Sequence, residues 1–134
     1  MNNYTEILRA HNLKATPQRI EITNALYTNG HITIDNLYDR LKQKFNSISL
    51  ATIYKNINIM MDASFIQEVK IPHAKSVYEL TKEAHSHLVC DKCGAVEDIT
   101  INLSSCLEEV SLHTHFQVQK TNLVLTGICQ HCQQ

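Results

Sequence analysis

This sequence predicts an α+β protein in two parts, and three observations carry the prediction. Apolar residues recur at helical spacing through residue 62, strand-like alternation replaces that spacing after Ala63-Ser64, and two CxxC pairs bracket the last third of the chain. The 134 residues suffice for one medium domain or two small ones, and 43% hydrophobic content is ample for compact folding. No apolar run approaches the roughly 20 residues of a membrane-spanning helix. The start, MNNYTEILRAHNLK, lacks the basic-then-apolar order of a secretion signal. The expected location is therefore the cytoplasm, where five cysteines point to metal rather than to disulfides. The net charge of −1 separates along the chain: residues 1–83 carry ten Lys and Arg against eight acids, and residues 84–134 carry two against five. The front half is thus the better candidate to face nucleic acid.

Tyr4, Ile7, Leu8 and His11 fall on one helix face. Thr16-Pro17 starts a second helix, because Thr accepts from an orphan N–H and Pro has none to lose. It runs through Ile20, Thr23 and Tyr27 to Asn29-Gly30. Thr33 caps a third helix with Ile34, Leu37, Tyr38 and Leu41 as its stripe, ending near Phe45. Ser49 caps a fourth, whose Leu50, Ile53, Ile57, Met60 and Met61 share one face while Thr52, Lys55 and Asn56 point away. Short helices in tight succession, the last with small polar and basic residues outward, form a helix-turn-helix layout. Phe65, Gln67, Val69 and Ile71 then alternate with Ile66, Glu68 and Lys70; residues 72–76 turn, and Val77–Leu80 returns. A hairpin in that place reads as a wing, giving a winged helix-turn-helix domain over residues 1–80. Residues 81–84 are polar and without period, a hinge. Residues 85–134 form a small α/β domain: strands at Leu88–Cys90 and Val96–Ile101, a helix from Leu103 to His113, and strands at Phe116–Lys120 and Leu123–Ile128.

Cys90, Cys93, Cys129 and Cys132 form two knuckles whose two-residue spacers let four thiolates reach one zinc ion about 2.3 Å away. Zinc there ties the ends of the second domain together, since its binding energy is also folding energy. His85 and His87 project to one side of an extended segment, with Asp98 eight residues after Cys90. From spacing alone they read equally as exposed loop residues or as ligands of a second ion suited to nitrogen and oxygen. His31 and Glu79 join that set only if the two domains fold toward each other. Cys106 reads as a small buried residue, His113 and His115 as complements to a helix C-terminus, and His11, His73 and His131 as surface residues.

Four ordered motifs, LKATPQR at 13–19, SLATIYKN at 49–56, HSHLVCDKCG at 85–94 and GICQHC at 127–132, resemble the successive signatures of the ferric uptake regulator family. The resemblance runs nearly end to end. It implies a homodimer that binds a palindromic operator in double-stranded DNA when loaded with metal, and not an enzyme. By position it makes Cys90, Cys93, Cys129 and Cys132 structural zinc ligands, and His31, Glu79, His85, His87 and Asp98 regulatory ligands for ferrous iron or manganese. It places Lys14, Arg19, Ser49, Thr52, Tyr54 and Lys55 on or beside the DNA-contacting motifs. Periodicity alone makes Tyr54 a core-flanking aromatic, and leaves Thr52 and Lys55 as solvated residues or as contacts to phosphate and base edges. Arg19 opens a helix, where a cation opposes the dipole; a phosphate contact gives it a better reason to be there.

Asp98 stands where iron-sensing members carry Glu, which resembles the peroxide-responsive subgroup, with His31 and His85 as the implied sites of oxidation. Glu79 departs from that subgroup, which places Asp there. Ser86, Ser105 and Thr121 occupy matching positions of an additional metal site found in some members, so two metals per subunit are expected. The rival within the family is a repressor responding to iron level alone. Rivals outside it are a thiol oxidoreductase using Cys90 and Cys93, although this CxxC lies between strands rather than opening a helix, and a zinc-stabilised interaction module.

Overall fold

A computed structural model describes residues 3–134; Met1 and Asn2, which open the first predicted domain, lie outside them. The chain divides into two compact units, Met1–Lys82 and Glu83–Gln134.

In the first unit, helices α1 (Tyr4–Ala10), α2 (Pro17–Asn29), α3 (Ile34–Lys44) and α4 (Leu50–Asp62) surround one core. Each start is fixed by a side-chain cap: Asn3, Thr16, Thr33 and Ser49 accept from the N–H groups of Glu6, Arg19, Asn36 and Thr52. Helix α2 stops at Gly30, whose φ of +75° suits a residue without Cβ. The core gathers Leu8, Ile22, Leu26, Leu37, Leu41, Ile53, Ile57 and Met60, all essentially inaccessible to solvent. In α2 the buried residues include Ile22, Thr23, Ala25 and Leu26, while Tyr27 is exposed, its ring centroid 5.4 Å from that of Tyr4. Leu50 is likewise exposed, because the first turn of α4 extends past the core.

Strands β2 (Ile66–Val69) and β3 (Val77–Leu80) form the expected hairpin, pairing Ile66 with Leu80 and Val69 with Val77. A two-residue strand, β1 (Ile32–Thr33), was too short to leave a sequence signal; it pairs with β3 and makes a three-stranded sheet in the order β1-β3-β2. The expected alternation at Phe65 and Ile66 gives way to burial of both, since both belong to the helical core.

In the second unit, β4 (Ser86–Cys90) lies between β5 (Val96–Ile99), antiparallel, and β6 (Val124–Gly127), parallel. Helix α5 (Ser104–His113) and a single 3₁₀ turn at Gln130–Gln133 complete it. No strand forms at Phe116–Lys120. Residues 111–120 are all exposed, so that alternating segment has no buried face to satisfy within one chain. Helix α5 buries none of its side chains, and Cys106, expected inside, is exposed with them. Among the described residues no helix is long and apolar enough to cross a membrane.

Candidate metal centres and nucleic-acid interface

The parallel pairing of β4 with β6 sets Cys90 beside Gly127, so the chain reaches Cys129 just past the first knuckle. The Sγ atoms of Cys90, Cys93, Cys129 and Cys132 all lie within 4.8 Å of one another. Four sulfurs each 2.3 Å from a central zinc stand about 3.8 Å apart. The Cys93 and Cys129 sulfurs are separated by 3.8 Å. The backbone N–H groups of Cys93 and Cys129 donate to Cys90 Sγ, at 3.5 and 3.3 Å, and bring its pKa down to about 6. The hydrogen bond shared with Cys129, together with burial, pushes Cys132 up to about 12. Four thiolates cannot share this space unless a cation compensates them, and the donor set fits tetrahedral zinc.

Elsewhere in the second unit, β4 carries His87 and β5 carries Asp98 as a register pair. His87 Nε2 is 3.5 Å and His85 Nε2 3.8 Å from Asp98 Oδ1, and the two imidazoles meet edge to face with centroids 4.6 Å apart. His85 Nδ1 lies 2.8 Å from the Glu83 carbonyl. A carbonyl only accepts, so Nδ1 donates to it, and Nε2 is the nitrogen that a neutral His85 offers to a metal. The three side chains fit a nitrogen-and-carboxylate cation site rather than separate loop residues.

In the first unit, the sheet brings a histidine and a carboxylate together. Ile32 of β1 pairs with Tyr78, so His31 follows toward Glu79, whose other neighbour across the sheet is Gln67. His31 Nε2 is 3.0 Å from Glu79 Oε2, and Gln67 Nε2 donates to Glu79 Oε1 at 2.6 Å. Two ligand atoms about 2.1 Å from one ion and at right angles also stand about 3.0 Å apart, so the pair fits cation binding. Glu79 is only 1% exposed, and a carboxylate buried so deeply needs the Gln67 amide and the His31 imidazole, or a cation, to offset its lost hydration.

The remaining predicted residues lie on the outer side of the helices. Thr52, Tyr54 and Lys55 are exposed on α4, and Ser49 caps it. Tyr54, expected from periodicity to flank the core, is instead 40% exposed and lines a 350 Å³ pocket with Asp35, Glu68, Lys75 and Tyr78. Arg19 donates to the Lys14 carbonyl at 3.1 Å and to Asn56 Oδ1 at 3.0 Å, tying the start of α2 to α4.

The profile of the ferric uptake regulator family matches residues 10–126. The chain belongs to the ferric uptake regulator family. Within that family, the peroxide-responsive repressor PerR of Staphylococcus epidermidis (strain ATCC 12228 / FDA PCI 1200) is 31% identical over 129 residues, 95% of this chain and 86% of that protein. The solved Campylobacter jejuni peroxide stress regulator superposes with a TM-score of 0.72 at 32% identity, covering 98% of this chain and all of that one. The Vibrio cholerae ferric uptake regulator gives 0.76 at 30% identity over 95% of this chain and all of that one. These relatives are named as regulators, not as enzymes.

For this family member, sequence reasoning missed two polar residues that the fold makes important. Gln67 was read only as one position of an alternating strand; the hairpin register, counted back from the turn, is the signal that sets it opposite Glu79. Glu21 left no signal at all. It is buried in α2 between Arg40 at 3.3 Å and Lys44 at 2.9 Å, and only the packing of α3 on α2 reveals it.

Proposed function

We propose that this chain is a metal-dependent transcriptional repressor that senses peroxide. Residues 1–80 bind DNA, 81–84 are a hinge, and 85–134 dimerise; the protein works in the cytoplasm as a homodimer on a palindromic operator and catalyses no turnover reaction. The observation that carries the reading is Asp98 facing His85 and His87 in a family member whose relatives include peroxide repressors. Cys90, Cys93, Cys129 and Cys132 hold structural zinc. By the family resemblance, His31, Glu79, His85, His87 and Asp98 are the ligands of a regulatory ferrous or manganous ion.

The DNA-reading surface is α4 with its cap, Ser49, Thr52, Tyr54 and Lys55, joined by Lys14 and Arg19 at the start of α2. Side chains on the outer face of such a helix reach base edges, and basic groups beside it reach phosphates. Ferrous iron, when bound, supplies the one-electron chemistry that makes peroxide an oxidant of nearby imidazoles. His85, its Nδ1 proton anchored on the Glu83 carbonyl, and His31 are the side chains that take up oxygen. A ligand so altered no longer binds as before, DNA affinity falls, and the controlled genes are released.

The test is mass spectrometry of iron-loaded protein treated with peroxide, alongside operator binding. We expect peptides containing His31 or His85 to gain the mass of one oxygen atom while binding is lost. Unmodified peptides with peroxide-insensitive binding refute peroxide sensing. That outcome, with metal still required for binding, is the one predicted by the rival reading, a repressor that responds to iron level alone.

A further inference from the structure

Glu79 differs from the aspartate of the peroxide-responsive subgroup by one methylene, and that methylene adds a rotatable bond. A longer carboxylate reaches farther, yet it loses more freedom when it is held in one pose. It also has two oxygens and can meet an ion through one or both. The first unit contains a device that removes this ambiguity. Gln67 stands directly across from Glu79 in the β2–β3 register, and its amide nitrogen lies 2.6 Å from Oε1. The assignment of that nitrogen is forced by chemistry, because a carboxylate accepts and the amide oxygen cannot donate. The other oxygen, Oε2, is the one 3.0 Å from His31 Nε2. Imidazole, carboxylate and amide therefore form one row, from the residue before β1 through β3 to β2, with the two carboxylate oxygens facing different neighbours.

We propose that Gln67 is a positioning residue for the regulatory ion: by holding Oε1 it presents Glu79 as a one-oxygen ligand through Oε2, beside His31. The inference rests on the reading of His31 and Glu79 as regulatory ligands. Gln67 itself touches no metal. It acts as the hydrogen-bonding partner of a ligand, and loss of such partners typically weakens metal binding 10- to 100-fold. The same reasoning accounts for Glu in place of Asp: the longer side chain comes with its own clamp on the adjacent strand.

The experiment uses full-length, zinc-loaded protein and Co²⁺ as the probe ion, read by competition titration and by visible absorption. In Gln67→Met the side-chain length is kept and the donor removed; Gln67→Ala is made beside it as a second route to the same loss. The expected result is Co²⁺ affinity about 10-fold lower or worse, together with a changed absorption intensity as Glu79 becomes able to use both oxygens. Zinc content stays at the wild-type level. In a Glu79→Asp background, where the carboxylate no longer reaches the amide, removing Gln67 produces no further loss, so the two changes are not additive. Wild-type affinity and spectrum in both Gln67 variants, with binding abolished in Glu79→Ala, overturn the positioning role and leave the ligand assignment standing. Undiminished Co²⁺ binding in Glu79→Ala overturns the ligand assignment itself. A drop in melting temperature with no change in Co²⁺ spectrum assigns Gln67 a structural role only, which also refutes the proposal.

Discussion

Glu21 is a carboxylate inside the helical core, and its surroundings determine what it does for stability. Burial raises its pKa, but hydrogen bonds and charge from Lys44 and Arg40 outweigh burial, and the net shift is downward from 4.5. A depressed folded pKa means the stabilisation is present at neutral pH and is lost as the pH falls through the folded value. Lys44 and Arg40 both retain contact with water, so the contribution is screened. Glu21→Gln is expected to lower unfolding stability at pH 7 by about 1 kcal/mol. In urea titrations of both proteins at a series of pH values, the gap between them narrows as the pH falls below 4.5 and through the lower folded value. A gap that widens in acid contradicts the depressed pKa.

Among the elements, α4 depends most visibly on the residue that caps it. Ser49 Oγ accepts from the Thr52 N–H at 3.1 Å and lies 3.0 Å from the Thr52 hydroxyl, so one serine both closes the helix end and orients a predicted DNA contact. Ser49→Ala should cost about 1 kcal/mol of stability, and Ser49→Gly only a few tenths. Operator affinity, measured by fluorescence anisotropy, should fall for both, because both lose the hydroxyl that steers Thr52. If only Ser49→Ala loses affinity, the effect is helix stability and not Thr52. The Arg19 contacts to Lys14 and Asn56 act at the same scale, holding the starts of α2 and α4 in one arrangement. The caps were legible in the sequence because each involves a side chain and an N–H three residues on. The Arg19–Asn56 bond joins residues 37 apart, and no local pattern encodes it.

For the whole molecule, the two units differ in what holds them. The first has a continuous apolar core drawn from all four helices and the sheet. In the second, Val89 and Cys90 are the only buried hydrophobic residues, while Leu112 and Phe116 are 76% and 71% exposed. So little apolar burial does not stabilise a fold of this size without a metal or a partner. Removing zinc with a strong chelator under reducing conditions is therefore expected to unfold the second unit and leave the helices of the first. Far-UV circular dichroism then reports partial loss of structure, and light scattering reports a fall from dimer to monomer mass. Retention of the dimer after complete zinc removal argues against zinc as the organiser of that unit.

The division between sequence and fold follows from the range of the forces involved. Helix starts, the hairpin and the two knuckles were readable because capping, alternation and CxxC spacing act between residues only two to four apart. The same local signals misled where burial is decided elsewhere: Cys106 and the alternating segment 116–120 have apolar patterns that nothing in one chain covers. Strand β1, the row from His31 through Glu79 to Gln67, the buried Glu21 and the bracing of α4 by Arg19 were decided only by tertiary structure. They depend on which distant segments pair and in what register, and that choice is made by the free energy of packing the whole core, not by any stretch of residues read alone.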